Sequence, residues 1–210
     1  MANHVILNKQ VALKVVRLHK IKDPYVSKNL KRESAIMVKL NHPNIVSLHE
    51  VVSVGDFYCL VLDFYPGGNL CDMIGSQEGF KLQEEIARLL FRQILAGLGY
   101  MHSKNIIHRD IKLENILLDE SHSKAVIADF GLSNFWDANS RLRTRCGSAE
   151  VTLSCGSQSH LILPQYAAPE IFDRESTYTQ AVDMWSLGVS LYAMSVTKAI
   201  HRFLILETKI

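Results

Sequence analysis

Tyr65-Pro66-Gly67-Gly68-Asn69 is a cluster of chain breakers, and it divides two kinds of hydrophobic pattern. Proline locks its own φ and lacks an N–H, while paired glycines admit backbone angles closed to other residues, so such a stretch interrupts regular structure. Ahead of it, Ile45–Val54 and Phe57–Phe64 are apolar runs joined by Gly55-Asp56, a hairpin signal. Behind it, 83–103 is the longest amphipathic stretch, with Ile86, Leu89, Leu90, Ile94, Leu98 and Met101 at helical spacing. The breakers therefore predict a connection between two lobes at 65–69.

Earlier in the chain, Val5-Ile6-Leu7 and Gln10–Val16 read as β-rich. Lys14 stands alone on the second, otherwise apolar, run. A lysine snorkelling from a strand edge is the common case. From Tyr25 to Leu40 the pattern turns helical, with Val26, Leu30, Ser34, Met37 and Val38 close to one face and Glu33 near it. Pro43, within Asn41–Val46, closes that segment.

A chain of 210 residues with 48% hydrophobic content can bury a substantial core. Its net charge of +2 supplies no global field for nucleic acid. Cys59, Cys71, Cys146 and Cys155 lie far apart and form no CxxC pair, which argues against zinc and against a secreted disulfide framework. Reduced thiols in the cytosol or nucleus are the expectation. The start, Met1-Ala2-Asn3-His4, has no signal-peptide pattern, and no run of 18 apolar residues predicts a membrane span.

The chemistry concentrates in His108-Arg109-Asp110-Ile111-Lys112-Leu113-Glu114-Asn115. An acid, a lysine two places on and an amide three beyond that share one short loop. Asp129-Phe130-Gly131 follows 19 residues after Asp110. This spacing suits phosphoryl transfer, where catalysis is mostly positioning and charge neutralisation around a metal-bound phosphate.

Together with Val11-Ala12-Leu13-Lys14, Glu33, Ala168-Pro169-Glu170 and Asp183-Met184-Trp185-Ser186-Leu187-Gly188, these motifs resemble the eukaryotic protein kinases. Lys112 is similar to the serine/threonine branch. Thr144 before Cys146-Gly147-Ser148 resembles the AMP-activated and Snf1-related group. Lys22–Glu33 and Pro66–Leu70 most resemble its hormonally up-regulated Neu-associated kinase subfamily. The resemblance implies an α+β, bilobal fold with a small β-rich N-lobe and a mainly helical C-lobe.

It also implies roles. Lys14, paired with Glu33, would hold the α- and β-phosphates of ATP. Asp110 would act as base toward a protein hydroxyl, and Lys112 would neutralise the transferring group. Asn115 and Asp129 would hold Mg2+. Ala12, Leu62, Leu117 and the backbones of Asp63 and Tyr65 would line the adenine site, and Asn69 would stand at the ribose. Phe130 would pack with His108, Met37 and Leu48 into a spine. Asp183 would brace the catalytic loop backbone. Thr144 would be a regulatory phosphosite read by Arg109 and loaded by an upstream activating kinase. The partners implied are protein substrates, with no nucleic acid or membrane, and the chain is expected to be a monomer.

Three features depart from the family pattern. No glycine precedes Lys14, so the glycine-rich cover over the phosphates and its two strands are expected to be missing. Fifteen residues, Ala149–Leu163, separate Ser148 from Pro164, either as a surface loop or as translated non-coding sequence. The resemblance stops after Met194, and Glu170 is expected to be a buried carboxylate without its partner. The domain reading is a partial kinase domain over 1–194, with its N-lobe at about 5–64, hinge at 65–69, C-lobe at 70–194 and insert at 149–163. A non-family tail at 195–210 follows. The functional expectation is a serine/threonine kinase fragment of weak or no activity. The alternative is a non-catalytic module that binds nucleotide or partners. A small-molecule phosphotransferase is the third reading.

Overall fold

The computed structural model describes residues 1–6, 8–21, 24–136, 165–172 and 177–195. Thr144, the segment 149–163 and residues 196–210 lie outside the described residues.

The first layer is an antiparallel sheet of four strands, β1 (Ala2–His4), β2 (Lys9–Arg17), β3 (Leu48–Val54) and β4 (Phe57–Asp63), in the order β1-β2-β4-β3. The β2–β4 register pairs Ala12 with Leu62 and Lys14 with Leu60. Since side chains alternate across a strand, Ala12, Lys14 and Val16 share one face. Two expectations are corrected here. The chain reverses between His4 and Lys9, with Asn8 at φ +47°, so Val5 and Ile6 are exposed turn residues rather than a strand. One short strand, β1, precedes the lysine strand, and the sheet begins at Ala2 rather than near residue 5.

Helix α1 (Pro24–Met37) crosses this sheet, tied to it by the Tyr58 hydroxyl, 2.8 Å from Ser34 Oγ. Its buried positions are Glu33, Ile36 and Met37, whereas Val26 and Val38 are exposed. Val38 falls outside because the helix ends at Met37 and tightens into a turn, Lys39 N donating to Ile36 O at 3.0 Å.

The second layer is helical. Helix α2 (Leu70–Ser76) follows the breaker cluster, then α3 (Glu84–Ser103), and α4 (Ala181–Ser195) packs on α3. Helix α3 buries Ala87, Leu90, Ile94, Gly97, Leu98 and Met101. Ile86 and Leu89 each precede a buried position by one residue, a rotation of about 100°, and that places them at the surface. Each fully buried leucine or isoleucine contributes about 1.5–3 kcal/mol, so this stripe holds the helical layer together. Short strands β5 (Ile106–Ile107), β6 (Ile116–Leu118), β7 (Ala125–Ile127) and β8 (Asn134–Phe135) form two antiparallel pairs, β5 with β8 and β6 with β7.

Among the connections that join the layers, two run through the backbone. Gly67 N donates to Leu118 O at 3.0 Å and Leu118 N to Gly68 O at 2.9 Å, which clips the breaker cluster to β6. A Cβ on Gly67 would lie 2.0 Å from Asp119 O, so only glycine fits there. The second connection is the turn after α1. Asn44 Nδ2 donates to Gln93 Oε1 at 3.0 Å and to Ala125 O at 2.9 Å, and Ile127 N donates to Asn44 O at 2.9 Å. His42 stacks on Tyr100 of α3, their ring centroids 5.1 Å apart.

Gly97 lets α3 approach that turn, since a Cβ there would lie 2.8 Å from Asn44 O. Gly97→Ala is expected to destabilise the fold. The backbone clash of about 1–3 kcal/mol exceeds the helix-propensity gain of about 1 kcal/mol. Gly99, two residues on, has nothing near its missing Cβ, so Gly99→Ala should stabilise by up to about 1 kcal/mol. Urea denaturation of the two variants checks both signs.

Candidate active site

Lys14 projects from β2 between two carboxylates. Its Nζ lies 2.7 Å from Glu33 Oε1 on α1 and 3.0 Å from Asp129 Oδ1 beyond β7. One ammonium thus joins the strand, the helix and the C-terminal layer. Glu33 is buried at 3% exposure, whereas Asp129 is 51% exposed. Burial alone would lower the lysine, but the charges of Asp129 and Glu33 prevail and hold it above its ordinary value. Burial alone would raise Asp129, and the Lys14 charge and hydrogen bond outweigh it, holding the carboxyl below its usual range. Asp129 also sits at φ +61°, a left-handed backbone that few non-glycine residues adopt.

The loop 108–115 is held from several directions. His108 Nε2 donates to Ala128 O at 3.1 Å, and its Nδ1 accepts from Asp110 N at 3.2 Å, which selects the Nε2–H tautomer. The Phe130 ring meets His108 edge-on at 5.3 Å, and Met37 and Leu48 belong to the same packed core. Asp183 of α4, fully buried, accepts from His108 N at 2.9 Å, Arg109 N at 2.7 Å and His102 Nε2 at 2.8 Å. These bonds hold Arg109 at φ +68°.

Within the loop, Lys112 Nζ lies 2.9 Å from Asp110 Oδ2. Asn115 Nδ2 donates to Asp110 O at 2.8 Å and to Asp110 Oδ2 at 2.9 Å. Asn115 has therefore spent its amide hydrogens on Asp110, and its carbonyl oxygen is the donor atom left for a cation. Ala128 N donates to Asn115 O at 2.9 Å, which brings Asp129 alongside. A carboxylate and a carboxamide oxygen suit a hard divalent ion such as Mg2+, completed by water and phosphate oxygens. Among the described residues no group of three or more His, Cys, Asp or Glu could hold a softer metal.

Ala12 and Leu62 face one another across β2 and β4. Asp63 N donates to Ser47 O at 3.0 Å, and its carboxylate is taken by Lys9 at 2.9 Å and His49 at 2.8 Å. Tyr65 is half-buried, and burial, reinforced by the Asp63 and Asp119 carboxylates, pushes its phenol up to about 12. Leu117 bridges to the backbone of Asn69.

At Asn69 the structure shows a role that the sequence reading did not name. Its Oδ1 accepts from Asp72 N at 2.8 Å and its Nδ2 donates to Asp72 Oδ2 at 2.7 Å, so the side chain caps α2. Glu170, in the turn Pro169–Ile171, is partly exposed and not the buried orphan expected. Sequence reasoning missed His102, Tyr178 and Asn44. Only His102 carried a signal, as a basic residue in the last turn of a long helix.

Asp129 folds with a depressed value, so its contribution to stability is complete above its ordinary 3.8 and is lost as pH falls through the folded value. Lys14 contributes in full below its ordinary 10.5 and loses the contribution as pH rises through its higher folded value. A carbon-13 titration of the Asp129 carboxyl is expected to give a midpoint below 3.8 that moves up in Lys14→Met.

The family model described as "Protein kinase domain" matches residues 2–202, past Met194. The chain is 39% identical over 195 residues to hormonally up-regulated neu tumor-associated kinase homolog A of Xenopus laevis, covering 91% of this chain and 26% of that protein. It is 38% identical over 195 residues to the human hormonally up-regulated neu tumor-associated kinase, covering 91% of this chain and 25% of that protein. It is 42% identical over 184 residues to the rat NUAK family SNF1-like kinase 2, covering 88% of this chain and 26% of that protein. The chain thus spans about a quarter of the length of these relatives. With this match over most of its length and the Lys14–Glu33–Asp129 bridge beside the Asp110–Asn115 loop, the chain belongs to the protein kinase domain family.

Proposed function

We propose that this chain carries the catalytic side chains of a serine/threonine protein kinase, which transfers the γ-phosphoryl group of ATP to a protein hydroxyl. The observation that carries the reading is the double ion pair of Lys14 with Glu33 and Asp129 beside the Asp110–Lys112–Asn115 cluster. Magnesium, when bound, neutralises the β- and γ-phosphate oxygens. Asn115 and Asp129 would hold it. Lys14, aimed by Glu33, would take the α- and β-phosphates. Asp110 would orient the acceptor hydroxyl and receive its proton as the new O–P bond forms and the bridging P–O bond of ATP breaks. Lys112, already on Asp110, would balance charge on the group in flight. Ala12, Leu62 and Leu117, with the backbones of Asp63 and Tyr65, would seat the adenine. A phosphate placed on Thr144 by another kinase would be read by Arg109.

A second reading has one feature in its favour. No glycine occurs before Gly55, so residues 1–54 encode no glycine-rich amide cradle for the phosphates. On that reading this polypeptide binds nucleotide, or a protein partner, without turning it over.

The two separate cleanly in a transfer assay with Mg-ATP and a serine- or threonine-containing protein. The kinase reading expects phosphate incorporation that stops on chelation of magnesium. Asp110→Asn should lower kcat by at least about 100-fold, with KM for ATP little changed. Nucleotide binding without incorporation in the unmodified chain selects the second reading.

A further inference from the structure

Asp63 ends β4, and its carboxylate is gripped from both neighbouring strands on a single oxygen. Lys9 Nζ, at the start of β2, lies 2.9 Å from Asp63 Oδ1, and His49 Nε2, on β3, lies 2.8 Å from the same atom. Burial alone would raise the Asp63 carboxyl, and the Lys9 and His49 hydrogen bonds outweigh it, holding it below its usual range. The oxygen is therefore ionised at neutral pH and only accepts, so His49 Nε2 carries a hydrogen and donates it. The backbone is held as well, since Asp63 N donates to Ser47 O at 3.0 Å.

His49 reaches that oxygen because β3 is irregular. Leu48 pairs with Leu62 and Glu50 with Val61, so His49 is one residue more than β4 can match. An extra residue of this kind bends its strand and re-aims a side chain. The face it serves is the one away from Lys14. Asp63 pairs with Val11, while Ala12 and Lys14 share the other face, and Leu13 and Val15 on the Val11 side are 40% and 53% exposed. His4, paired with Lys9, lies 3.5 Å from Glu50 on this same side. The row His4, Lys9, Asp63, His49 and Glu50 thus draws on all four strands at one end of the sheet.

We propose that His49 is a positioning residue that acts from the outer face of the sheet. By its bond to Asp63 it fixes the backbone where the chain leaves β4 for the connection at 65–69, and so sets the adenine seat. The inference rests on the seat assigned above to the backbones of Asp63 and Tyr65, and adds what holds it. A seat made of main-chain groups cannot adjust by changing rotamer, so its precision depends on where the strand ends. Lys9, 43% exposed on a flexible stem, holds Asp63 more loosely than the imidazole, which is 19% exposed. Without the His49 donor the strand end is left to the Lys9 contact and the single Ser47 bond.

The test reads the backbone and the ligand separately. Nitrogen-15 order parameters of Asp63, Phe64 and Tyr65 are measured in the full chain without ligand, with Leu98 in the buried stripe of α3 as the control. Adenosine affinity is measured by calorimetry. His49→Phe keeps a planar ring but has no donor. It should lower the order parameters at 63–65 by at least about 0.1 from a rigid value of about 0.85, with Leu98 unchanged. Adenosine should bind at least about threefold more weakly. His49→Gln places an amide donor near the position of Nε2 and should restore both readings. Lys9→Met, at an exposed position, should lower the same order parameters and covers the case of a His49 variant that fails to fold. Order parameters unmoved at 63–65, a His49→Gln variant as impaired as His49→Phe, or lowered order with undiminished adenosine affinity would each overturn the proposal. A chain that takes up no adenosine sinks the adenine seat itself, and the order parameters then still decide whether His49 sets the backbone.

Discussion

The Asp183 carboxylate is the constraint on which the rest of the site depends. It has no solvent exposure, and three donors converge on it: two backbone amides of loop 108–115 and the His102 ring. A hydrogen bond to an ionised group contributes about 1.5–3 kcal/mol, and a buried carboxylate deprived of its donors costs more than that. The convergence is what keeps Arg109 in the left-handed region, a strain of about 1–3 kcal/mol for a residue of its type. Because Arg109 precedes Asp110, that twist decides which way the Asp110 carboxylate leaves the backbone. Lys112 and Asn115 then complete its surroundings within the loop itself.

The Lys14 ammonium plays the corresponding part between the layers, by a different physics. Asp183 works through burial and short-range donors, whereas Lys14 is 38% exposed and works through charge. An exposed pair contributes little to stability, so the bridge to Asp129 is better understood as a device for placement than for cohesion. Cohesion comes from apolar packing and from Asn44, whose side chain and carbonyl bond to α3, to β7 and to the strand end next to Asp129.

Legibility in the sequence followed the range of the interaction. Loop 108–115 could be read because its residues lie within a few positions of one another, and within it Asp110 meets Asn115. Helix α3 could be read because its stripe is long, although Ile86 and Leu89 show that a periodic list cannot say where the buried arc ends. Lys14 and Glu33 were legible only with the motifs that follow them, since a single charged residue on a strand or helix is ordinarily a surface group. Tyr178 meets Arg109 across 69 residues, and His102 meets Asp183 across 81. His102 carries only the signal of a basic residue in the last turn of a helix, and nothing in the local pattern of Tyr178 announces its partner. The cap at Asn69 could have been read locally, since its partner, Asp72, is three residues away and an asparagine before an apolar helix is an ordinary helix start.

The anchors have an order along α1. Its C-terminal end is held by the turn 41–46, where His42 stacks on Tyr100 and Asn44 reaches β7. Its middle is held more lightly, by the Tyr58–Ser34 hydroxyl contact and by Glu33 on Lys14. The contacts of the site therefore come from two sets of elements, with Asp129 and the loop 108–115 on the side of α3 and α4, and Glu33 on α1. Lys14, 2.7 Å from Glu33 and 3.0 Å from Asp129, is the residue that touches both.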